Sequence, residues 1–517
     1  MGGGIVAAGH RLTAQAAAEV LAAGGSAFDA VLAAHLVACV AEPVLASLGG
    51  GGFLLAAPAD GPPRLYDFFA QTPRRKRPVA ELDFRPILAD FGTATQEFHI
   101  GHGTIATPGA VRGWFAVHRD LGRLPLREIA EPAVRLAREG VVLDALQAYI
   151  FSVVAPIYLA SAPVRAVFGS PSDPHRLKGE GDRVRNPELA DAIESLAIEG
   201  EDLFYRGEMG QALVAACAAQ GGHLRREDLA GYAVELRRPL VLDYHGWRIH
   251  TNPPPASGGV LIGFALALLE ATPIARHDFG GHAHLRLLAE VMRQAHAARL
   301  EAHSEGGNTL DAARLLDPAT VARYRMALRN RAQALRGTTH ISVMDRQGNR
   351  AAMTVSNGEG CGCFIEGTGI MPNNMLGEDD LNPGGFHRWR ENVRLTSMMS
   401  PSVAFGPHGE VIVTGSGGSN RIRSALLQVF VNLIDFRMDV EAAVARPRIH
   451  VEGERLSVEG GFDPAVVELL LRDFAEHEVW ASLNLFFGGA HTLVARGGRF
   501  SGAGDPRRDG ACLVVGA

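Results

Sequence analysis

Gly337-Thr338-Thr339-His340-Ile341-Ser342-Val343-Met344-Asp345 is the stretch on which the reading of this chain turns. Beyond the glycine, polar and apolar residues alternate as in a strand with one buried face. Asp345 to Asn349 supplies a turn and Ala351 to Ser356 a returning strand, so the segment predicts a β-hairpin that opens at Thr338. Upstream the pattern loosens, and residues 305–337, polar and rich in arginine, predict an exposed connector. A threonine placed there suits one chemistry. Its hydroxyl is a weak nucleophile that needs an adjacent base, and an α-amine freed by cleavage titrates at about 7.7–8.0 and can act as one. Gly337, without a Cβ, tolerates the strained geometry that attack on its own carbonyl requires. Taken alone, Thr-Thr at a strand start is ordinary β-propensity and does not carry catalysis.

The flanking chain is rich in helices. Residues 11–23 and 26–41 are alanine-rich and helical, with Ser26 and Asp29 spaced as a capping box. Gly49-Gly50-Gly51-Gly52 leads into a buried strand from Phe53 to Ala57; lacking the lysine of a phosphate-binding loop, the glycines predict close backbone packing. Helices are expected on either side of a turn at 122–125, from Val260 and over 281–302, with strands within 239–250. A second hairpin, Ser402–Phe405 with Val411–Thr414, precedes a helix over Ile422–Asp435. Strands gathered in the C-terminal third and helices elsewhere predict a layered α+β or α/β core.

Composition narrows the function. Of 517 residues, 47% are hydrophobic and 21% charged, with net charge −6, so bulk charge favours neither nucleic acid nor an anionic membrane. The basic run Arg74-Arg75-Lys76-Arg77 reads as a solvated surface. Five cysteines are too few and too scattered for a disulfide framework, and Cys361-Gly362-Cys363 is one residue tighter than a redox C-x-x-C, so they are expected to be reduced and mostly structural. The first residues make a poor secretory signal, and the longest apolar stretch, Ala30 to Ala41, is short of a membrane span. The expectation is a soluble, cytoplasmic protein. His282 and His284, with His296 and His303, read as helix surface rather than a metal site, since no carboxylate completes a ligand set. Thr414-Gly415-Ser416-Gly417-Gly418 lacks the leading glycine of a serine nucleophile's G-x-S-x-G turn.

Several segments together resemble the γ-glutamyltranspeptidase family, the autoprocessing threonine members of the N-terminal-nucleophile hydrolases. They are Gly4 to His10 with Gly24 to Ala30; Glu42-Pro43 with Gly49 to Phe53; Ala106 to Ala110; Pro253 to Gly259; Thr338 to Asp345; Gly367 to Asn374; Ser400-Pro401; Thr414 to Gly418; and Asp505-Pro506-Arg507. They run in family order over nearly the whole chain. The resemblance implies a four-layer αββα sandwich, self-cleavage between Gly337 and Thr338, and two intertwined subunits, 1–337 and 338–517. It implies an acyl-enzyme on Thr338, resolved by water or an amine, with no cofactor and no metal.

Carried over by motif, Gly418 and Ser419 supply the backbone N–H groups of an oxyanion hole, although the family usually has two glycines there. Ser356 aligns with a hydroxyl that supports the nucleophile; its plain alternative is a strand serine. Ser397 aligns with the first of a substrate-contacting serine pair, and Met398 replaces the second. Asp380, or in second place Asp379, matches the acid that holds the substrate's α-amine, and Asn357 stands for a binding asparagine. His340 is expected to pack behind the nucleophile rather than act as its base. The largest departure is Phe69, which stands where the family carries an arginine that grips the α-carboxylate of a γ-glutamyl group. Phenylalanine cannot pair with a carboxylate. Arg74, Arg75, Arg388, Arg390 and Arg394 are candidate replacements, each reading more simply as a surface arginine. The expectation is therefore hydrolysis of a γ-glutamyl or related amide rather than efficient transpeptidation. Two alternatives stand beside it: a glutaryl or cephalosporin acylase, and an unprocessed relative that only binds a ligand.

Overall fold

A computed structural model describes residues 2–90, 95–270, 272–304, 310–326, 338–382 and 384–516. Two antiparallel sheets form its centre. One has seven strands in the order Ala511–Val515, Gly4–Ala8, Thr339–Asp345, Arg350–Ser356, Gly51–Ala57, Arg64–Phe68 and Glu235–Arg237. The other has six, in the order Arg499–Ala503, Thr492–Arg496, Val411–Thr414, Ser402–Phe405, Trp247–Thr251 and Leu240–Tyr244.

Strand alternation sorts the first sheet's side chains into two cores. Val6, Ala8, Leu54, Ala56, Ile341, Val343, Ala351 and Met353 pack against the helices Arg11–Ala22, Ala27–Ala41 and Leu126–Glu139. Ile5, Ala7, Phe53, Leu55, Met344 and Ala352 join the core shared with the second sheet. The helices Gly258–Glu270, His282–Ser304 and Arg421–Ile434 complete the fourth layer. The αββα arrangement follows. The alternation of Thr339–Asp345 does not mark one exposed face: both faces are covered, and His340 and Ser342 are buried as fully as Ile341 and Val343. Strands of the first sheet come from both ends of the chain, so the expected gathering of strands in the C-terminal third is corrected: the two segments are interleaved.

Local signals were realised where the sequence placed them. Ser26 Oγ accepts from Phe28 and Asp29 N–H, and Asp29 Oδ2 accepts from Ser26 N–H at 2.8 Å. The helix they start, Ala27–Ala41, is buried on every side, as its uniform hydrophobicity requires. Asp345 ties the hairpin to it: Oδ2 accepts from Ala27 N–H at 2.9 Å, while Oδ1 accepts from Gln347 and Asn349 N–H in the turn. A Cβ at Gly49, Gly50 or Gly52 would overlap the carbonyl of Met371, Ser356 or Thr354, so the glycine run serves dense packing.

One expectation fails in part. Within the predicted connector, Ala312–Leu315 and Pro318–Met326 are helical, and Leu310, Leu315, Val321 and Tyr324 are buried in the core beside Gly258–Glu270. Their spacing was hidden by the intervening arginines. Residues 305–309 and 327–337, including Gly337, lie outside the described residues.

Candidate active site

Thr338 is the residue before the central strand Thr339–Asp345 and is 5% exposed. Thr339 pairs with Val355, so the antiparallel register sets Thr338 opposite Ser356. Ser356 Oγ accepts from Gly358 N–H at 3.0 Å. The Thr338 carbonyl is pressed against Gly417, where any Cβ would overlap it. Arg508 Nη1 donates to the same carbonyl at 3.3 Å.

Beside it the backbone passes through Gly418 (φ 118°) and Ser419 (φ 51°) and enters the buried helix Arg421–Ile434. Neither the Gly418 nor the Ser419 N–H is spent on a protein carbonyl among the described residues. Two free N–H groups at the positive end of a helix form an anion-binding corner. The left-handed φ of Ser419 explains why glycine suits the position and costs a serine about 1 kcal/mol. The serine has a compensation that glycine lacks: its Oγ donates to Asp380 Oδ2. Asp380 is thus brought to the site, whereas Asp379 is exposed.

Behind Thr338 lies a buried polar cluster. Glu42, 1% exposed, accepts from Thr339 Oγ1 at 2.8 Å and Thr13 Oγ1 at 2.7 Å. Ser342 Oγ donates to the His491 carbonyl and so accepts from His340 Nε2, while His340 Nδ1 accepts from Thr354. Burial, helped by neighbouring His491, holds the His340 imidazole well below its ordinary pKa, so it stays neutral with both nitrogens engaged. It is not free to act as a base. Burial alone would raise the Asp505 carboxyl, but Arg448 at 2.6 Å and Arg507 at 3.2 Å hold it far below the carboxylate range. Arg507 also grips Glu459.

On the acyl side, Phe69 is 1% exposed and stacks on Phe53 with centroids 5.3 Å apart. Met375, Leu376, Leu395 and Met398 belong to the same apolar core. Arg74, Arg75, Arg388 and Arg390 are exposed. Arg394 corrects the sequence reading: its side chain is 3% exposed, not superficial. It pairs with Asp67 at 3.2 Å, donates to the carbonyls of Phe69 (2.6 Å) and Ala233 (2.8 Å), and lies over the Tyr232 ring. Asp67 also takes Arg237 at 2.7 Å. A guanidinium so committed is bound to the fold. Ser397 Oγ accepts from Met399 N–H, and the Ser397 carbonyl accepts from Ser257 and Gly258 N–H, which fastens this loop to the turn after Pro255. Asn357 is fully buried, and neither amide atom of its side chain has a partner among the described residues. Among those residues no group of three or more His, Cys, Asp or Glu side chains is placed to hold a metal, and no helix is long and apolar enough to cross a membrane.

Sequence reasoning thus joined Thr338, Ser356, Gly418, Ser419 and Asp380, and missed Glu42, Arg508 and the Arg394–Asp67 pair. Glu42-Pro43 and Asp505-Pro506-Arg507 had been singled out as motifs without a role.

The sequence pattern described as Gamma-glutamyltranspeptidase matches residues 13–515. Acylase ACY 1 proenzyme of Pseudomonas sp. (strain SE83) is 32% identical, with 99% of this chain and 93% of that protein covered. Glutathione hydrolase proenzyme of Escherichia coli (strain K12) is 29% identical over 98% of this chain and 90% of its own. Among solved structures, cephalosporin acylase from Bacillus halodurans superposes with a TM-score of 0.85 at 25% identity, covering 99% of this chain and 96% of that one. A layered αββα core that presents a threonine beside two free N–H groups, matched over almost its full length, places the enzyme: the chain belongs to the γ-glutamyltranspeptidase family.

Proposed function

We propose that the chain cuts itself between Gly337 and Thr338 and then hydrolyses a γ-glutamyl or related side-chain amide through an acyl-enzyme on Thr338. The carrying observation is the seat of Thr338: its carbonyl rests on Gly417, next to the unspent N–H groups of Gly418 and Ser419. In the proposed reaction the α-amine of Thr338 takes the proton of Thr338 Oγ as that oxygen attacks the substrate carbonyl. The oxyanion faces the N–H groups of Gly418 and Ser419, each a donor of the kind whose loss costs about 10²–10³-fold in kcat. Collapse passes the proton from the α-ammonium to the leaving amine and leaves an ester on Thr338. Water, deprotonated by the same amine, attacks the ester carbonyl; collapse expels Thr338 Oγ, which takes the proton back from the α-ammonium, and releases the acid. Ser356 supports the nucleophile from the paired strand, and Asp380 and Asn357 face the donor's polar groups.

A second reading is an acylase for glutaryl-type groups, which keep the distal carboxylate of a γ-glutamyl donor and lack its α-amine. An aromatic ring in the arginine's place and an Arg394 committed to Asp67 bear on both donors alike, since burying their shared carboxylate unpaired is costly, and the second reading differs in needing no partner for an amine. The acylase relative from Pseudomonas agrees with it. Five cysteines present as thiols suit the cytoplasm, the compartment we propose. The test is N-terminal sequencing of the purified protein, followed by γ-glutamyl anilides against glutaryl amides. A small fragment beginning Thr-Thr-His-Ile establishes the nucleophile; an uncut, inactive chain would leave only ligand binding. Tight γ-glutamyl preference would sink the acylase reading.

A further inference from the structure

We propose that Arg508 positions Thr338 and, through its buried charge, biases the Thr338 α-amine toward the free base; the inference rests on Thr338 being the N-terminal nucleophile. Arg508 is 3% exposed. Its one side-chain hydrogen bond among the described residues goes to the Thr338 carbonyl, at 3.3 Å, and its Nε has no partner. The neighbouring arginines differ. Arg448 and Arg507 are each fastened to Asp505, and Arg507 to Glu459 as well. Arg508 has no carboxylate oxygen within ion-pair distance among the described residues, so its charge is held in place by packing.

Gly489 makes room for it, and Gly417 and Gly418 lie alongside. A Cβ at Gly489 would stand 2.6 Å from its Cγ and Cδ, one at Gly417 3.5 Å from Cζ, and one at Gly418 3.7 Å from Nη2. The guanidinium therefore lies between the carbonyl of the nucleophile and the corner that receives the oxyanion. Burial pulls the Arg508 guanidinium below its ordinary value, opposed by the charges of Asp505 and Glu42; arginine nonetheless keeps its proton in proteins.

The α-amine and carbonyl oxygen of one residue are close, so a cation on the oxygen lies within about 7 Å of the amine. At that range, in a partly buried site, a fixed positive charge disfavours an ammonium and lowers its pKa by about one pH unit or more. The other charged and titratable groups around the site are accounted for. Glu42 opposes Arg508: the Thr13 and Thr339 hydroxyls fix its two oxygens and leave its charge in place. Asp380 is bound by Ser419 and Asp505 by Arg448 and Arg507. His340 and His491 are held neutral, both chiefly by burial. Arg508 bonds directly to the Thr338 carbonyl.

The test is the acidic limb of kcat/KM against pH. In the processed wild type it should fall below pH 7, under the ordinary α-amine range of about 7.7–8.0. A limb at the ordinary value overturns the proposal. Arg508→Gln keeps an N–H donor and removes the charge; its limb should move up by about one pH unit, so the wild-type-to-variant ratio shrinks about tenfold between pH 6.5 and 9.5. Arg508→Lys keeps the charge and should keep the limb. A lower plateau with an unmoved limb in the glutamine variant would show a structural role alone and also overturn it. If the glutamine variant stays uncut, the limbs of the wild type and the lysine variant decide. Sequencing the small fragment of each preparation separates this failure from that of the parent reading: a fragment that does not begin at Thr338 sinks the nucleophile, not Arg508 in particular.

Discussion

Replacing Arg394 with methionine separates two roles that a buried arginine beside Phe69 can have, holding the fold or holding a substrate carboxylate. Methionine preserves much of the apolar stem and removes the fork. Asp67, fully buried, then keeps only Arg237 at 2.7 Å and the Phe69 N–H at 3.1 Å. The Ala233 carbonyl loses its donor, while the Phe69 carbonyl retains the Tyr232 hydroxyl at 2.7 Å. Breaking a buried pair from one side costs about 3–5 kcal/mol, and the surviving Arg237 argues for the lower end. An unpaired carbonyl adds about 1 kcal/mol. A loss of about 4 kcal/mol is roughly a 10³-fold fall in the ratio of closed to open forms. The place to measure it is hydrogen exchange of the amides in Arg64–Phe68, in an uncut Thr338→Ala background, where protection should fall by that factor or to the exchange limit of the unfolded segment. In the active enzyme, KM for a γ-glutamyl anilide should stay within about threefold of wild type. Undiminished protection together with a KM raised 10²-fold for the γ-glutamyl anilide and for a glutaryl amide, and not for a butyryl amide that lacks the distal carboxylate, would refute the structural assignment and make Arg394 the missing grip.

Four further outcomes are expected. Thr338→Ala should run as one 55.0 kDa chain without activity, whereas the wild type should give fragments of about 36 and 19 kDa by residue share; a cut alanine variant points to an outside protease. Asn357→Leu removes two unsatisfied buried atoms, so thermal stability should hold or rise by about 1 kcal/mol while KM increases at least tenfold; lost stability with unchanged KM would make Asn357 structural. Acid should destabilise the protein from about pH 6.5 downward: His35, His223, His284, His450 and His491 are held near 4, chiefly by burial, so between 6.5 and 4 the unfolded chain takes up protons that the folded chain refuses. Each contributes a slope of about 1.4 kcal/mol per pH unit, and a melting midpoint that stays flat from pH 7 to 5 would contradict those burials. Cys363, whose thiol is lowered chiefly by a hydrogen bond from Cys361, should be alkylated first at pH 7, ahead of Cys39 and Cys217, which burial pushes up; equal rates at all three would remove the distinction.

Much of the fold could be read from local signals because those signals coincide with tertiary demands. The Ser26–Asp29 box, the Asp345–Asn349 turn and the glycine run each serve the core as they serve their own segment. The helix Pro318–Met326 escaped notice because, over residues 318–324, only Val321 and Tyr324 are buried. Arg394 was misplaced for a different reason: an arginine reads as surface unless its acid is known, and Asp67 lies 327 positions away in the chain. Arg508 gives no periodic or spacing signal, since its place depends on Gly489 and on the Thr338 carbonyl, drawn from separate segments. The residues nearest the nucleophile were legible because they follow one another in short motifs, while the groups that tune it converge from afar.

The interleaving of the central sheet changes the reaction order of folding. Gly4–Ala8 is hydrogen-bonded on one side to Thr339–Asp345 and on the other to Ala511–Val515, and Gly51–Ala57 pairs with Arg350–Ser356. Before the proposed cut, these partners belong to one molecule and meet at a fixed effective concentration. Afterwards the small fragment carries three of the sheet's strands and the large fragment four, interleaved, and reassembly from the denatured state becomes bimolecular, slowed by every dilution. The mature enzyme is then assembled once. Its working lifetime is set by how slowly it unfolds rather than by an equilibrium it can re-enter.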